Sequence, residues 1–270
     1  ANMGLGLEAL LANTKLVVHG STVVDNTLLT RSGAETGLIT TAGFEDTLAV
    51  TRGAFGRWAG LSEAQLKHPV ASERPAALVS AANTTGVEER VDYKGAVVTA
   101  IAASNIETEL RNFLKDKNLE AIAVSLLWSF KNSCHEQTVG EILHRIAPDC
   151  YVCLSSEVAP FPGEYERTST TVINAYAGKV VNEYITDLAS QLQMEKFTGP
   201  LLVMQGHGGL LNATQAAKRA VSLIECGPVA GLIGSQFLGH QLDQPDVIAV
   251  DMGGTTSKVG VIQSHLLNFD

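Results

Sequence analysis

Val247-Ile-Ala-Val-Asp-Met-Gly-Gly-Thr-Thr-Ser-Lys-Val-Gly-Val-Ile262 decides the fold of this chain. Val247 to Asp251 reads as an apolar strand that ends on a carboxylate, the two glycines turn the chain, and a second strand runs from about Thr256 to Ile262. Lacking side chains, Gly253 and Gly254 let backbone N–H groups approach phosphate oxygens, and Thr255, Thr256 and Ser257 add hydroxyl donors. Asp251 stands where a phosphate-bound Mg2+ takes a carboxylate, directly or through water. No Gly-x-x-x-x-Gly-Lys-Ser/Thr sequence occurs, so the cradle is a hairpin and not a P-loop. Read alone, the hairpin is equally a tight turn that needs glycine.

One helix upstream lies Glu225-Cys-Gly-Pro-Val-Ala-Gly231. Gly227-Pro228 opens that helix, with the missing N–H of Pro228 in the turn where it costs least, and the N-terminal end favours anions. Glu225 can orient an attacking group or a Mg2+-bound water there, or it can sit near a helix start for dipole reasons alone. Gly231 and Gly234 are expected to let a neighbouring element come close. Further upstream, Leu201 to Met204 reads as a strand followed by the turn Gly206-His-Gly-Gly209. A long helix is expected from near Arg167, since Val172, Tyr176, Val180, Tyr184, Leu188 and Leu192 keep helical spacing.

The first half of the chain reads as alternating strands and helices. Lys15 to Thr41 resembles a strand, helix, strand unit, with the helix over Thr22 to Arg31 and the second strand over Thr36 to Thr40. Residues 52–75 are punctuated by Gly53, Gly56, Gly60, Pro69 and Pro75 and read as a loop or lid. Ser104-Asn-Ile-Glu107 and Ser133-Cys-His-Glu136 have capping-box spacing. The first opens a helix with Ile106, Leu110, Phe113 and Leu114 on one face. The second lies between a buried strand at Ala121 to Trp128 and another at Tyr151 to Leu154, a right-handed βαβ candidate.

Composition narrows the function classes. The 270 residues are 45% hydrophobic with a formal net charge of −9, enough for a sizeable core and without the clustered positive surface that DNA or RNA requires. Apolar runs are too short to cross a bilayer, and no basic stretch leads into an apolar signal segment, so no membrane partner and a cytoplasmic location are expected. The four cysteines are too few and scattered for a secreted disulfide framework. Cys150-Tyr-Val-Cys153 falls on an expected strand, where residues three apart face opposite ways, so it reads as structural and not as a metal pair.

Glu225-Cys-Gly-Pro paired with Asp251-Met-Gly-Gly-Thr resembles the second half of an actin-like ATPase lobe. Three more stretches narrow the resemblance: His19-Gly-Ser-Thr-Val-Val-Asp-Asn26, Thr36-Gly-Leu-Ile-Thr-Thr-Ala-Gly-Phe44 and Glu164-Tyr-Glu-Arg-Thr-Ser-Thr-Thr-Val-Ile-Asn-Ala-Tyr176. Together they are similar to the hydantoinase A, 5-oxoprolinase and acetone or acetophenone carboxylase family. The resemblance implies an α/β chain of the ribonuclease-H-like, actin-like ATPase fold, incomplete. Residues 1–160 would be the N-terminal-type α/β region and residues 161–270 the first part of the ATPase domain.

It further implies ATP and Mg2+ as cofactors and activation of a carbonyl by phosphoryl transfer. The leading expectation is hydrolysis of a cyclic amide such as a hydantoin or 5-oxoproline, beside carboxylation of a ketone or a non-catalytic scaffold role. A large hydantoinase B-type partner, as subunit or domain, is expected with it. Asp251 would handle metal, Gly253, Gly254, Thr255, Thr256 and Ser257 phosphate, and Glu225 the water or metal. His19, Thr22, Asn26, Glu164 and Arg167 match family motifs, with substrate and structural roles both open. The sequence departs from the common pattern in carrying Lys258 where many members have Asp, His207 where Asn is frequent and Cys226 where Ser is usual. The other Asp-x-Gly-Gly-Thr hairpin and the adenosine-binding half of such an ATPase are not among these residues, so this polypeptide taken alone is not expected to turn over.

Overall fold

In a computed structural model, residues 6–51, 62–68, 76–253 and 257–267 are described. The chain forms two compact units, Gly33–Lys179 and a first unit that joins Ala1–Ser32 to Val180–Asp270. Strand β1 (Val17–His19) and helix α1 (Val23–Thr30) open the first unit. The second unit then contributes β2 (Thr36–Thr41), β3 (Thr84–Val87), the β4 (Arg90–Val91) and β5 (Val97–Thr99) hairpin, and α2 (Ala103–Leu114). It continues with β6 (Ala121–Ser125), α3 (Cys134–Ile146) and β7 (Tyr151–Leu154). Helix α4 (Glu164–Met194), 31 residues long, leads back to the first unit. There β8 (Leu201–Met204), β9 (Leu210–Asn212), α5 (Cys226–Gln241), β10 (Val247–Met252), β11 (Ser257–Gln263) and β12 (Leu266–Leu267) follow.

The second unit is built on a parallel sheet in the order β3-β2-β6-β7. Both central strands are buried at every position, which is why they read as unbroken apolar or hydroxyl-bearing runs and not as an alternation. Period-two side-chain direction still sorts them. Ile39, Ile122 and Val124 pack with Ile106 and Leu110 of α2 and Val139 and Leu143 of α3. Leu38, Ala121 and Ala123 pack instead with Val172 and Ala175 of α4. Small residues dominate this second face, so the long helix lies close. At Gly178 a side chain would meet the Tyr151 ring at 2.2 Å, and glycine is required there. The expected strand, helix, strand order from β6 through α3 to β7 is present, with the strands parallel.

Several local expectations are corrected. Strands β1 and β2 were expected in one unit of structure but belong to different sheets, for β1 pairs in parallel with β8 whereas β2 lies between β3 and β6. Periodicity identifies an element's type, and the fully buried β2 needs a neighbour on each edge that β1 does not supply. Helix α2 starts ahead of Ser104, with Ala102 at its cap, and Glu107 pairs with Arg111 at 2.8 Å and Arg145 at 2.5 Å. Ser133 does stand at the start of α3 but makes no side-chain cap. Glu136 turns inward, and the first amide of the helix, that of Cys134, donates to Asn132 Oδ1 at 3.2 Å. Helix α4 begins three residues before Arg167. Nothing lies within 4 Å of the Cβ positions at Gly231 and Gly234 among the described residues, so neither is a point of close approach.

The expected loop or lid falls mostly on residues 52–61 and 69–75, outside the described residues. Between them Glu63–Leu66 forms one helical turn with a reciprocal Ser62–Gln65 capping box. The four cysteines are unpaired. Cys153 is buried on β7, its thiol pushed up to about 12 by desolvation, and Cys150 donates to the Leu119 carbonyl at 3.1 Å. No group of three or more His, Cys, Asp or Glu residues among the described ones is arranged to hold a metal ion by itself. No described helix is long and apolar enough to cross a membrane.

Candidate functional site

Strands β10 and β11 form the expected antiparallel hairpin, with Asp251 opposite Lys258 and Met252 opposite Ser257. Gly260 seats the hairpin on α5, since any side chain there would collide with Leu232 at 2.0 Å. Asp251 and Gly253 are exposed at the open end of β10, and Ser257 is exposed at the start of β11. Gly254, Thr255 and Thr256 lie outside the described residues. Among the described residues, no ion pair uses the carboxylate of Asp251.

Glu225 is the residue before α5 and takes the left-handed backbone conformation, φ 61° and ψ 11°. Its carboxylate is ion-paired with the Lys258 ammonium on the hairpin, at side-chain exposures of 49% and 27%. Its backbone N–H donates to the Asp25 carboxylate, 3.1 and 3.3 Å from the two oxygens. Next to it, the Cys226 thiol donates to the Ser21 carbonyl at 3.0 Å and accepts from the Ser21 N–H at 3.4 Å. Gly20 lies against Ala230 and Gly227, and Gly227 lies against Thr22. The turn between β1 and α1 is thereby clamped to the start of α5. Burial raises the Asp25 carboxyl first of all. The Glu225 N–H opposes the rise, the Glu225 carboxylate adds to it, and the Lys258 ammonium again opposes it.

His19 ends β1, opposite Val203 of β8. Its Nε2 lies 2.8 Å from the Tyr184 hydroxyl of α4, and the two rings are tilted at a centroid distance of 5.7 Å. Burial lowers the His19 pKa below the ordinary 6.5. His19, Ser21 and Tyr184 border a small, mostly apolar hollow closed by Val24, Ile185 and Leu223, with room for about one water. Thr22 precedes α1, and Asn26 donates from Nδ2 to the Thr22 hydroxyl at 3.3 Å. Thus His19, Thr22 and Asn26 share a compact unit with Glu225, Asp251, Gly253 and Ser257.

Glu164 and Arg167 belong to the second unit. Arg167 is wholly buried. Its guanidinium donates to the Ser129 hydroxyl at 2.5 Å, to the Leu126 carbonyl at 2.6 Å, and to Ser155 and Glu164. Glu136, also wholly buried, lies 3.6 Å from it. The Glu136 carboxylate accepts from the Leu126 N–H at 2.8 Å, the Ser155 hydroxyl at 2.5 Å and the Ser156 N–H at 2.8 Å. Beside this cluster Glu89 accepts from Thr41 and lies 2.7 Å from His135 Nδ1. Capping-box spacing assigns Glu136 to the start of α3, and no motif reading assigns a role to Asp25. The first could have been suspected from a carboxylate beside an apolar strand, but nothing local distinguishes Asp25.

A profile of the hydantoinase/oxoprolinase N-terminal region matches residues 7–147, and one of hydantoinase/oxoprolinase matches residues 167–270. The chain belongs to the hydantoinase/oxoprolinase family. It is 34% identical to the acetophenone carboxylase gamma subunit of Aromatoleum aromaticum, over 99% of this chain and 37% of that protein. Within the family, the nucleotide-free structure of acetone carboxylase, described as acting in ATP-dependent acetone carboxylation, superposes with a TM-score of 0.86. Identity is 27%, over 98% of this chain and 37% of that one. The ATP-dependent caprolactamase from Pseudomonas jessenii gives a TM-score of 0.76 at 28% identity, over 96% and 36%. The chain spans little more than a third of the length of these relatives. It has the α/β fold of the actin-like, ribonuclease-H-like type read from its sequence, and both structures share that fold over nearly all of it.

Proposed function

We propose that this chain carries one half of an ATP site at which a carbonyl compound is activated by phosphoryl transfer. The observation that carries the reading is the joining of the Asp251 hairpin to the start of α5 through the Lys258–Glu225 pair, inside one compact unit. The exposed Asp251 carboxylate, placed at the strand end beside a glycine turn, fits a Mg2+ held mainly by phosphate and water. Bound Mg2+-ATP would supply the phosphoryl group and the charge neutralisation. Gly253, Gly254, Thr255, Thr256 and Ser257 would offer N–H and hydroxyl donors to phosphate, and Lys258 a fixed positive charge. Glu225 would orient the attacking oxygen or a water. Catalysis of this kind works by positioning and electrostatic stabilisation. His19, Thr22 and Asn26 would shape the same unit, whereas Glu164 and Arg167 would hold the second one together.

The substrate proposed first is a cyclic amide, activated at its amide oxygen and then hydrolysed at the C–N bond, a reading supported by the fold shared with caprolactamase. The 34% identity with a carboxylase subunit and the TM-score of 0.86 with acetone carboxylase favour a second reading, in which a ketone is phosphorylated as its enol and carboxylated. In either case a large hydantoinase B-type partner is proposed, since relatives bear names of subunits. The experiment is substrate-dependent ATP hydrolysis by the protein with its co-purifying partners, with and without bicarbonate. Stimulation by lactams or hydantoins without bicarbonate supports hydrolysis, and bicarbonate-dependent stimulation by ketones supports carboxylation. If neither class stimulates ATP hydrolysis, carbonyl activation is wrong.

A further inference from the structure

Asp25 is a carboxylate that the hairpin and the phosphate donors leave without a task. It lies in the first turn of α1, yet its oxygens reach the backbone N–H of Glu225, 200 residues away in sequence. That N–H belongs to a residue in a conformation that crowds an L side chain against its own carbonyl. A glutamate persists there only where its surroundings over-determine the backbone. The surroundings are on the same turn: the paired Ser21–Cys226 bonds and the contacts of Gly20 and Gly227 fix the next residues of α5. Asp25 accepts from the N–H of Glu225 itself. The reversal at Glu225 lets its side chain leave the helix start toward Lys258 of the hairpin.

We infer that Asp25 is a positioning residue, holding the Glu225 backbone left-handed so that the Glu225 carboxylate stays at Lys258 beside the hairpin turn. For its effect on turnover this rests on the proposed ATP site. The groups facing Asp25 are the Glu225 N–H and carboxylate, the Lys258 ammonium and the Cys226 thiol, whose own pKa is raised by burial and, less, by Asp25. A carboxylate kept partly desolvated beside another carboxylate is poorly placed to serve stability alone. Its geometry serves the residue it holds.

The test compares Asp25→Ala, Asp25→Asn, Glu225→Gln and the double variant Asp25→Ala/Glu225→Gln in the protein with its native partners. Mg2+-ATP affinity, ATP turnover and amide hydrogen exchange at Glu225 are measured. Asp25→Ala should lower turnover about 10-fold or more with affinity changed less than about 3-fold, and Asp25→Asn, which keeps an acceptor oxygen, should restore most of it. In the Glu225→Gln background the Asp25→Ala loss should vanish, because both act through one group. Losses that multiply in the double variant, or wild-type turnover in Asp25→Ala while Glu225→Gln is impaired, would overturn the inference. Wild-type turnover in Glu225→Gln would remove the ATP-site role of Glu225. The exchange arm then decides alone, with a rise of about 10-fold or more at the Glu225 amide in Asp25→Ala expected, and an unchanged rate contradicting it.

Discussion

Each of the two units carries a cluster of acids and a base, and the two clusters are built on opposite principles. In the second unit Arg167 and Glu136 are wholly buried, and Ser129, Ser155, the Leu126 carbonyl and backbone N–H groups take up nearly all their hydrogen-bonding capacity. In the first unit Glu225 and Lys258 are half-exposed, Glu225 has a crowded backbone, and Asp251 stands in solvent with no ion pair among the described residues. A buried cluster this nearly satisfied, with only the Arg167 Nε left without a partner among the described residues, specifies a packing arrangement. An exposed one with an unused carboxylate keeps capacity for a ligand. Arg167 of the one cluster and Glu225 of the other both lie within residues 167–270, which the hydantoinase/oxoprolinase profile matches, so a match to the family does not by itself distinguish fold-holding residues from ligand-holding ones.

The sharpest way to break this contrast is to remove one partner from the buried cluster. Arg167→Met should destabilise the protein by roughly 3–5 kcal/mol in chemical denaturation, because it strands a buried carboxylate. A loss below about 1 kcal/mol would mean that water reaches the cluster and the contrast fails. Lys258→Ala removes an ion pair between half-exposed groups and should change stability by at most about 1 kcal/mol, while weakening Mg2+-ATP binding. A stability loss comparable to that of Arg167→Met would make the hairpin pair structural too.

The smallest effect expected is a pH dependence from His19. Burial lowers its folded-state pKa below 6.5, so the unfolded chain takes up a proton more readily as the pH falls through that value. Stability should therefore be fully present above about pH 6.5 and decline as the pH drops below it toward the lowered folded value. In His19→Gln the slope of stability against pH between about 7 and 5.5 should flatten. An unchanged slope would show that the hollow at Tyr184 is open to water.

Much of the second unit was legible because its central strands β2 and β6 are buried on both faces and its helices α2 and α3 are amphipathic, so that these elements stand out in the pattern. The hairpin was legible for a different reason: a carboxylate, two glycines and hydroxyl residues between β-branched runs have few other uses. What escaped was long-range. Ser133 to Glu136 has capping spacing, but spacing does not register that Arg167, 31 residues beyond Glu136, draws that carboxylate into the core. Asp25 was invisible for the same reason, its partner being an amide on a helix start far along the chain. The pairing of β1 with β8 required knowing which strand β2 needed on each edge.

The most direct test of the account is calorimetric titration of Mg2+-ATP into the protein with its native partners, wild type beside Asp251→Ala. The account predicts saturable binding by the wild type that weakens at least about 10-fold on substitution, a loss of 1.4 kcal/mol or more, with the unfolding midpoint unchanged. Equal binding by both proteins would take Asp251 out of the site, and no binding by either would contradict the nucleotide reading of the hairpin altogether.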